Sequence, residues 1–163
     1  MTAITDLATL TAIAGGDWLV VNDISAGSDK KITRDDLLGG SGAWTPALAF
    51  GGAATGITYT TQTGNYVRAG GLVYVHFSIV LSSKGSATGA ATVTGLPFAA
   101  GGVAPGMSIR YYANLASIAG SPFGWIGTTT INLVQMGAAT PAALTNVNFA
   151  NNSRLDMWGM YYV

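Results

Sequence analysis

The clearest pattern in the chain is an alternation. In LVYVHFSIVL, Leu72 to Leu81, the positions Val73, Val75, Phe77, Ile79 and Leu81 are all apolar, while Leu72, Tyr74, His76, Ser78 and Val80 between them are mixed. A period of two sends alternate side chains to opposite faces, so a strand with one core face is predicted. Just upstream, NYVRAGGLVYVH places Gly70-Gly71 between two strand-like runs, the mark of a two-residue hairpin. Further short strands are predicted in ITYTTQ, AATVTGL, MSIRYYA, FGWIGTTTINLVQM, LTNVNFA and RLDMWGMYYV, with a Pro- and Gly-rich loop in LPFAAGGVAPGM. Many short strands divided by turns predict a mainly β fold, an antiparallel β-sandwich of the jelly-roll kind.

The first 39 residues follow a different pattern. ITDLATLTAIAGG spaces Ile4, Leu7, Leu10 and Ile13 like one face of a helix and then stops at two glycines. DWLVVND and KKIT read as short strands around the turn ISAGSD. In TRDDLL, Thr33 can cap a helix start with Asp36 at the third helical position, as in a capping box, and Asp35 and Asp36 suit the positive end of a helix dipole. One or two short helices and a small hairpin are therefore predicted. So short a segment, with so few large apolar groups, is marginal alone and needs something to pack against.

Charge sharpens this division. Residues 1–39 carry six Asp against Lys30, Lys31 and Arg34, a net of −3, and residues 40–163 carry Arg68, Lys84, Arg110 and Arg154 against Asp156, a net of +3. The predicted organisation is an N-terminal segment over 1–39, a Gly-rich linker over 40–43 and a β-domain over 44–163. Charged residues are only 9% of the chain and hydrophobic residues 49%, with 19 Thr and 11 Ser supplying much of the polarity. Disorder goes with the opposite balance. Every apolar run is broken well short of the ~20 residues that a membrane helix needs, so no membrane insertion is expected. A net charge of zero argues against nucleic acid as a partner. MTAITD has no basic stretch followed by an apolar core, so no signal peptide is expected, and there is no cysteine to form a disulfide.

Chemical motifs are few. GGAATGIT, Gly51 to Thr58, has the glycine spacing of a phosphate loop, but Ile57 stands where the phosphate-contacting Lys belongs and no strand-to-helix context surrounds it, so a turn is expected. DISAGSD, Asp23 to Asp29, resembles a calcium loop, but its glycine is one position early and Arg34 falls where a bidentate Glu is required, so an Asx-rich hairpin turn is expected. His76 is the only histidine, which leaves no transition-metal set within one chain and no Ser-His-Asp triad with a G-x-S-x-G motif. It reads as a sheet-face histidine satisfied by a neighbour. Trp44, Trp125, Trp158, Tyr59, Tyr66, Tyr74, Tyr111, Tyr112, Tyr161 and Tyr162 could build a sugar-binding platform, although such residues are more often core or interface. Asn151 opens an N-x-S sequon, which matters only in a eukaryotic secretory setting. With a single acidic residue after residue 40, hydrolysis by paired carboxylates within one chain is not expected. No catalytic residue, metal or cofactor is assigned, and a non-enzymatic β-domain is expected.

Two stretches carry a family resemblance. ITDLATLTAIAGGDWLVVNDISAGSDKKITRDDL resembles an N-terminal segment of bacteriophage tail-fibre and other virion proteins, through Asp6-Leu7, Gly16-Asp17, Val20-Val21 and Lys30 to Thr33. Ala43 to Ala100 resembles a domain of phage fibre and decoration proteins, through Trp44-Thr45-Pro46, Gly56 to Tyr59, Gly64-Asn65-Tyr66, Ser83-Lys84-Gly85 and Gly95 to Phe98. The resemblance implies a virion structural protein at the particle surface, made in the bacterial cytoplasm. It implies a homotrimer whose N-terminal segment anchors on a capsid or tail protein and whose β-knob projects outward. The short linker favours a trimeric capsid decoration (cement) protein. The alternative is a short tail fibre or head fibre whose lectin-like knob binds a host glycan or protein. Particle docking then falls to Leu7, Leu10, Trp18 and Leu37 for apolar contact, and to Lys30, Lys31, Arg34, Asp35 and Asp36 for register and selectivity.

Overall fold

A computed structural model describes residues 18–23, 25, 27–33, 37, 39–102, 105–137 and 140–163. The chain divides into two compact units, Met1–Gly40 and Ser41–Val163. The described part of the first is an antiparallel hairpin of β1 (Trp18–Asp23) and β2 (Ser28–Thr33), paired from Trp18↔Thr33 to Asp23↔Ser28. Gly27, at φ +61°, lies in the turn. Trp18 and Val20 share one face of this ribbon and are 64% and 71% exposed. A two-stranded ribbon is marginally stable by itself, and this one leaves apolar side chains uncovered. The helix predicted over residues 4–13 lies outside the described residues. So does most of the predicted helix start in TRDDLL, whose Thr33 is the last residue of β2.

The described residues of the second unit form a single antiparallel sheet of ten strands. In chain order these are β3 (Ser41–Trp44), β4 (Ala47–Phe50), β5 (Ile57–Ala69), β6 (Leu72–Lys84), β7 (Ala91–Thr94), β8 (Gly106–Leu115), β9 (Ser121–Ile126), β10 (Ile131–Met136), β11 (Pro141–Ala143) and β12 (Phe149–Tyr162). The spatial order is β3-β5-β6-β12-β8-β9-β10-β7-β4, with β11 added to β10. The two end strands, β3 and β4, are consecutive in the chain and are separated only by Thr45 and buried Pro46. The sheet therefore curls until its two edges meet at one bend. In place of two stacked sheets there is one continuous hydrogen-bonded path, and the expectation of a sandwich is corrected to a curled antiparallel sheet.

The bend is held from several sides. Gln62 Nε2 donates to Pro46 O at 2.9 Å, and Leu48 N donates to the Tyr59 hydroxyl at 2.8 Å. Gly95 sits at φ +91°, and a Cβ there would come within 2.3 Å of Thr45 O. Beside the bend, Trp44 pairs across the strands with Gly64, and Gly64 pairs with Phe77 on its other side. The indole fills the space that Gly64 leaves, since a Cβ there would lie 2.6 Å from Trp44 Nε1. Its ring then meets Phe77 edge-on, 5.7 Å between centroids. Such an aromatic contact adds to the area buried.

Ser41 to Ala43, expected in a linker, instead belong to β3, paired with Val67 to Asn65. Their small size reflects packing, because the Tyr66 ring lies where a Cβ on Gly42 would be. The Gly70-Gly71 hairpin is formed, closing β5 onto β6 at Ala69↔Leu72 with Gly70 at φ +58°. The predicted core face of β6 is in place, with Val73, Val75, Phe77, Ile79 and Leu81 all buried. FGWIGTTTINLVQM divides into two strands, β9 and β10, around Gly127–Thr130, with Gly127 N donating to Thr130 O at 2.7 Å. LTNVNFA is a single 3₁₀ turn, Asn146–Asn148, leading into β12. Its apolar residues do not line one core face, since Leu144 and Phe149 are buried and Val147 between them is 68% exposed. Asn148 bonds Thr145 N and the carbonyls of Ala116 and Ser117.

Phe77 is 2% exposed and touches Trp44 at the closure of the sheet. Phe77→Ala should cost about 3–5 kcal/mol, read as a lowered urea midpoint with an unchanged slope. An unchanged midpoint would mean that this contact contributes nothing to the fold.

Candidate functional site

The chemistry of the second unit gathers on the face of β5, β6, β12 and β8 that points away from the core. Successive outward side chains of β12 are Arg154, Asp156, Trp158, Met160 and Tyr162, which lie opposite Val80, Ser78, His76, Tyr74 and Leu72 of β6. A bulge in β12·β8 between Asp156 and Met157 brings Arg110 and Tyr111 beside this row. A cleft of about 420 Å³ results, lined by Thr63, Tyr74, His76, Ser78, Arg110, Arg154, Asp156 and Trp158 over the backbone of Phe77 and Met157. A second cleft of about 380 Å³, lined by Ile109, Arg110, Tyr111, Tyr112 and Gly120 to Pro122, shares Arg110 with the first.

Asp156 is the only acidic side chain of this unit, and it is 4% exposed. Its carboxylate is fully partnered. Ser78 Oγ donates to Oδ1 at 2.6 Å, Arg154 Nη2 donates to Oδ2 at 2.7 Å, and Arg154 Nε lies 3.2 and 3.1 Å from the two oxygens. Burial by itself pushes this carboxyl upward. The bonds from Arg154 and Ser78, with the charges of Arg154 and Arg110, more than offset that and hold it below the ordinary carboxylate value. Arg154 is held twice, since its guanidinium also lies over the Tyr111 ring at 5.1 Å. No buried side-chain polar atom among the described residues lacks a partner.

His76 is exposed on the face where the alternation placed it, with the Tyr74 ring 6.1 Å away. Tyr74 lies 6.3 Å from Trp158, so the three rings form one aromatic wall of the cleft. The other aromatic residues separate by role. Trp44, Tyr59, Tyr66 and Tyr161 belong to the core or pack against it. The Tyr59 hydroxyl accepts from Leu48 N and the Tyr161 hydroxyl donates to Phe98 O at 3.0 Å; burial raises the pKa of both. Trp125, Tyr111, Tyr112, Trp158 and Tyr162 are exposed.

Of the expected docking residues, Trp18 is on β1, and Lys30 and Lys31 are exposed on β2. Lys31 Nζ lies 5.1 Å above the Trp18 ring. Leu37 is 52% exposed. Leu7, Leu10, Arg34, Asp35 and Asp36 lie outside the described residues. The Gly51–Gly56 stretch leads into a strand, and three of its glycines take positive φ, as a tight turn requires. No group of three metal-ligating side chains occurs among the described residues. Sequence reasoning missed the Arg110–Arg154–Asp156 cluster. The signal was available: Arg154 and Asp156 are two apart on one strand and so share a face.

No family model matches the chain, and no curated protein matches it. Among solved structures, the Dettilon tailspike protein (gp208) is similar, with a TM-score of 0.63 at 16% sequence identity. The match covers 76% of this chain and 23% of that one, so this chain spans under a quarter of the tailspike's length. At that identity the likeness is one of fold.

Because Asp156 titrates lower in the folded chain than in the unfolded one, its ion pair stabilises the fold fully above the unfolded value of about 3.9. That contribution is lost as pH falls through the lower folded value. Asp156→Asn should lower the melting temperature near neutral pH and flatten its acid limb below about pH 4. Parallel acid limbs in the two proteins would remove Asp156 as the group responsible.

Proposed function

We propose that the chain is a non-enzymatic structural protein of the bacteriophage particle surface, carried on the tail. One observation carries this: the curled sheet is shared with a tailspike protein across three-quarters of the chain. The resemblance of residues 1–100 to fibre and virion-anchor segments points the same way. The first unit would be the anchor. Its hairpin exposes Trp18 and Val20 beside Lys31, which suits a ribbon completed by a partner on the particle. A non-enzymatic role is supported by the state of Asp156, whose oxygens are committed to Ser78 and Arg154. A capsid-decoration role ranks second. It is supported by residues 34–40, which leave no room for a shaft between β2 and β3.

A homotrimer is part of the same proposal. The second unit exposes Trp125, Met136, Met160 and Tyr162, each between 47% and 69%, on a surface with almost no charge. Exposed Trp, Tyr and Met side chains are the kinds enriched at the cores of subunit interfaces. Light scattering of the purified protein at micromolar concentration should return three times the chain mass of 16.6 kDa; a monomer mass would refute the trimer. For location, gold-labelled antibody against the chain should decorate tails on intact particles. Label confined to heads would select decoration, and label on neither would remove the virion assignment.

A further inference from the structure

The second unit has five charged side chains in 123 residues, Arg68, Lys84, Arg110, Arg154 and Asp156. Three of them, with the chain's only histidine, line one cleft. A surface that stays polar through Ser and Thr elsewhere does not need charge here for solubility. Two guanidinium groups face one carboxylate, so the cleft carries an excess positive charge. The carboxylate is spent internally, which leaves the excess to a ligand.

The cations are prepared to act. Arg154 is fixed by the two oxygens of Asp156 and by the Tyr111 ring, and its Nη1 makes no hydrogen bond among the described residues. Arg110 is exposed at the point where the two clefts meet and makes no hydrogen bond or ion pair among the described residues. A guanidinium already held in place loses little freedom when it binds an oxyanion, and its planar edge matches a carboxylate. The same cleft carries the aromatic wall of Tyr74, His76 and Trp158, with Trp158 41% exposed. Such a wall offers an apolar surface to the C–H face of a sugar ring. Thr63 adds a hydroxyl group to the lining, as does Ser78, whose proton is given to Asp156. The cleft is lined mostly by polar and aromatic side chains, which suits a hydrated, polyhydroxylated ligand better than a wholly apolar one.

We propose that this cleft binds an acidic saccharide. A carboxylate-bearing pyranose would stack on Trp158 with its carboxylate on Arg110 and the free edge of Arg154. The adjoining cleft beyond Arg110 has room for a second sugar. The proposal stands on the cleft alone and holds whether the chain sits on a head or a tail.

The test uses the full chain. Tryptophan fluorescence and calorimetry would follow titration with oligogalacturonate and sialyllactose, against the neutral sugars lactose and maltotriose, with inorganic phosphate and adenosine monophosphate as further probes. At least one acidic saccharide should bind at or below millimolar concentration, at least tenfold more tightly than the neutral sugars, and more weakly as salt is raised. Arg110→Ala should weaken it by about ten- to a hundredfold and remove the preference for acid over neutral sugar, as expected for loss of a charge-assisted bond. Trp158→Ala should weaken it with the preference intact. Both positions are exposed, so an unchanged melting temperature will show that each variant is folded. Absence of acidic-saccharide binding, equal binding of neutral sugars, or an Arg110→Ala affinity equal to wild type would overturn the proposal. So would phosphate binding as tightly as the sugars, a bare anion site, or adenosine monophosphate binding more tightly, a nucleotide site.

Discussion

The indole of Trp44 lies on Gly64 and against Phe77, and one residue later the chain turns away at Thr45-Pro46 to become the opposite edge of the same sheet. The curvature of the sheet is thereby set. With β3 fixed to β5 and β4 fixed to β7, the five strands between β5 and β7 must span the distance around one core. The buried set of Leu48, Phe50, Val93, Ile131, Leu133, Phe149 and Met157 fills the inside of that curl. The outer face is left free of packing duty, and it is there that the polar and aromatic cluster sits. The edges that remain are only four residues long, which limits their use as templates for further strands.

The fold was legible where the pattern was local. The β6 alternation marks its buried face because both its neighbours, β5 and β12, pack the same side, and the Gly70-Gly71 turn is specified by two adjacent residues. What was lost depends on distant partners. Ser41 to Ala43 look like a linker until Tyr66 is seen to occupy the space above Gly42. Closure of the sheet rests on glycines at 64 and 95 that fit an indole and a carbonyl far away in sequence. Composition alone could not separate one curled sheet from two stacked ones, since both alternate in the same way.

The candidate site was half legible. His76, Tyr74 and Trp158 were visible as residues of interest, but not as neighbours, because the register of β6 against β12 joins positions some eighty residues apart. Arg110 reaches the group through a bulge, and a bulge leaves no periodic trace. Ser78 would look like an ordinary surface hydroxyl without the buried carboxylate that it serves. The scarcity of charge was the one global clue. In a unit so poor in ionic groups, two arginines and an aspartate within one cleft are a concentration, and Asp156 positions Arg154 through direct bonds rather than through a diffuse field.

The place of β12 has a consequence for synthesis. This strand, the last one described, lies in the middle of the sheet and, among the described residues, is the hydrogen-bonded link between β6 and β8. A nascent chain that has not yet released residues 149–162 from the ribosome holds two half-sheets, each with a long unpaired edge next to the missing strand. Neither half can close around the core, so the unit commits to its structure late and in one step, through contacts distant in sequence. Until that step the open edges of β6 and β8 are the places where neighbouring nascent chains would pair wrongly. A frameshift or nick just before Phe149 would therefore leave sticky fragments in the cell rather than a shortened working domain.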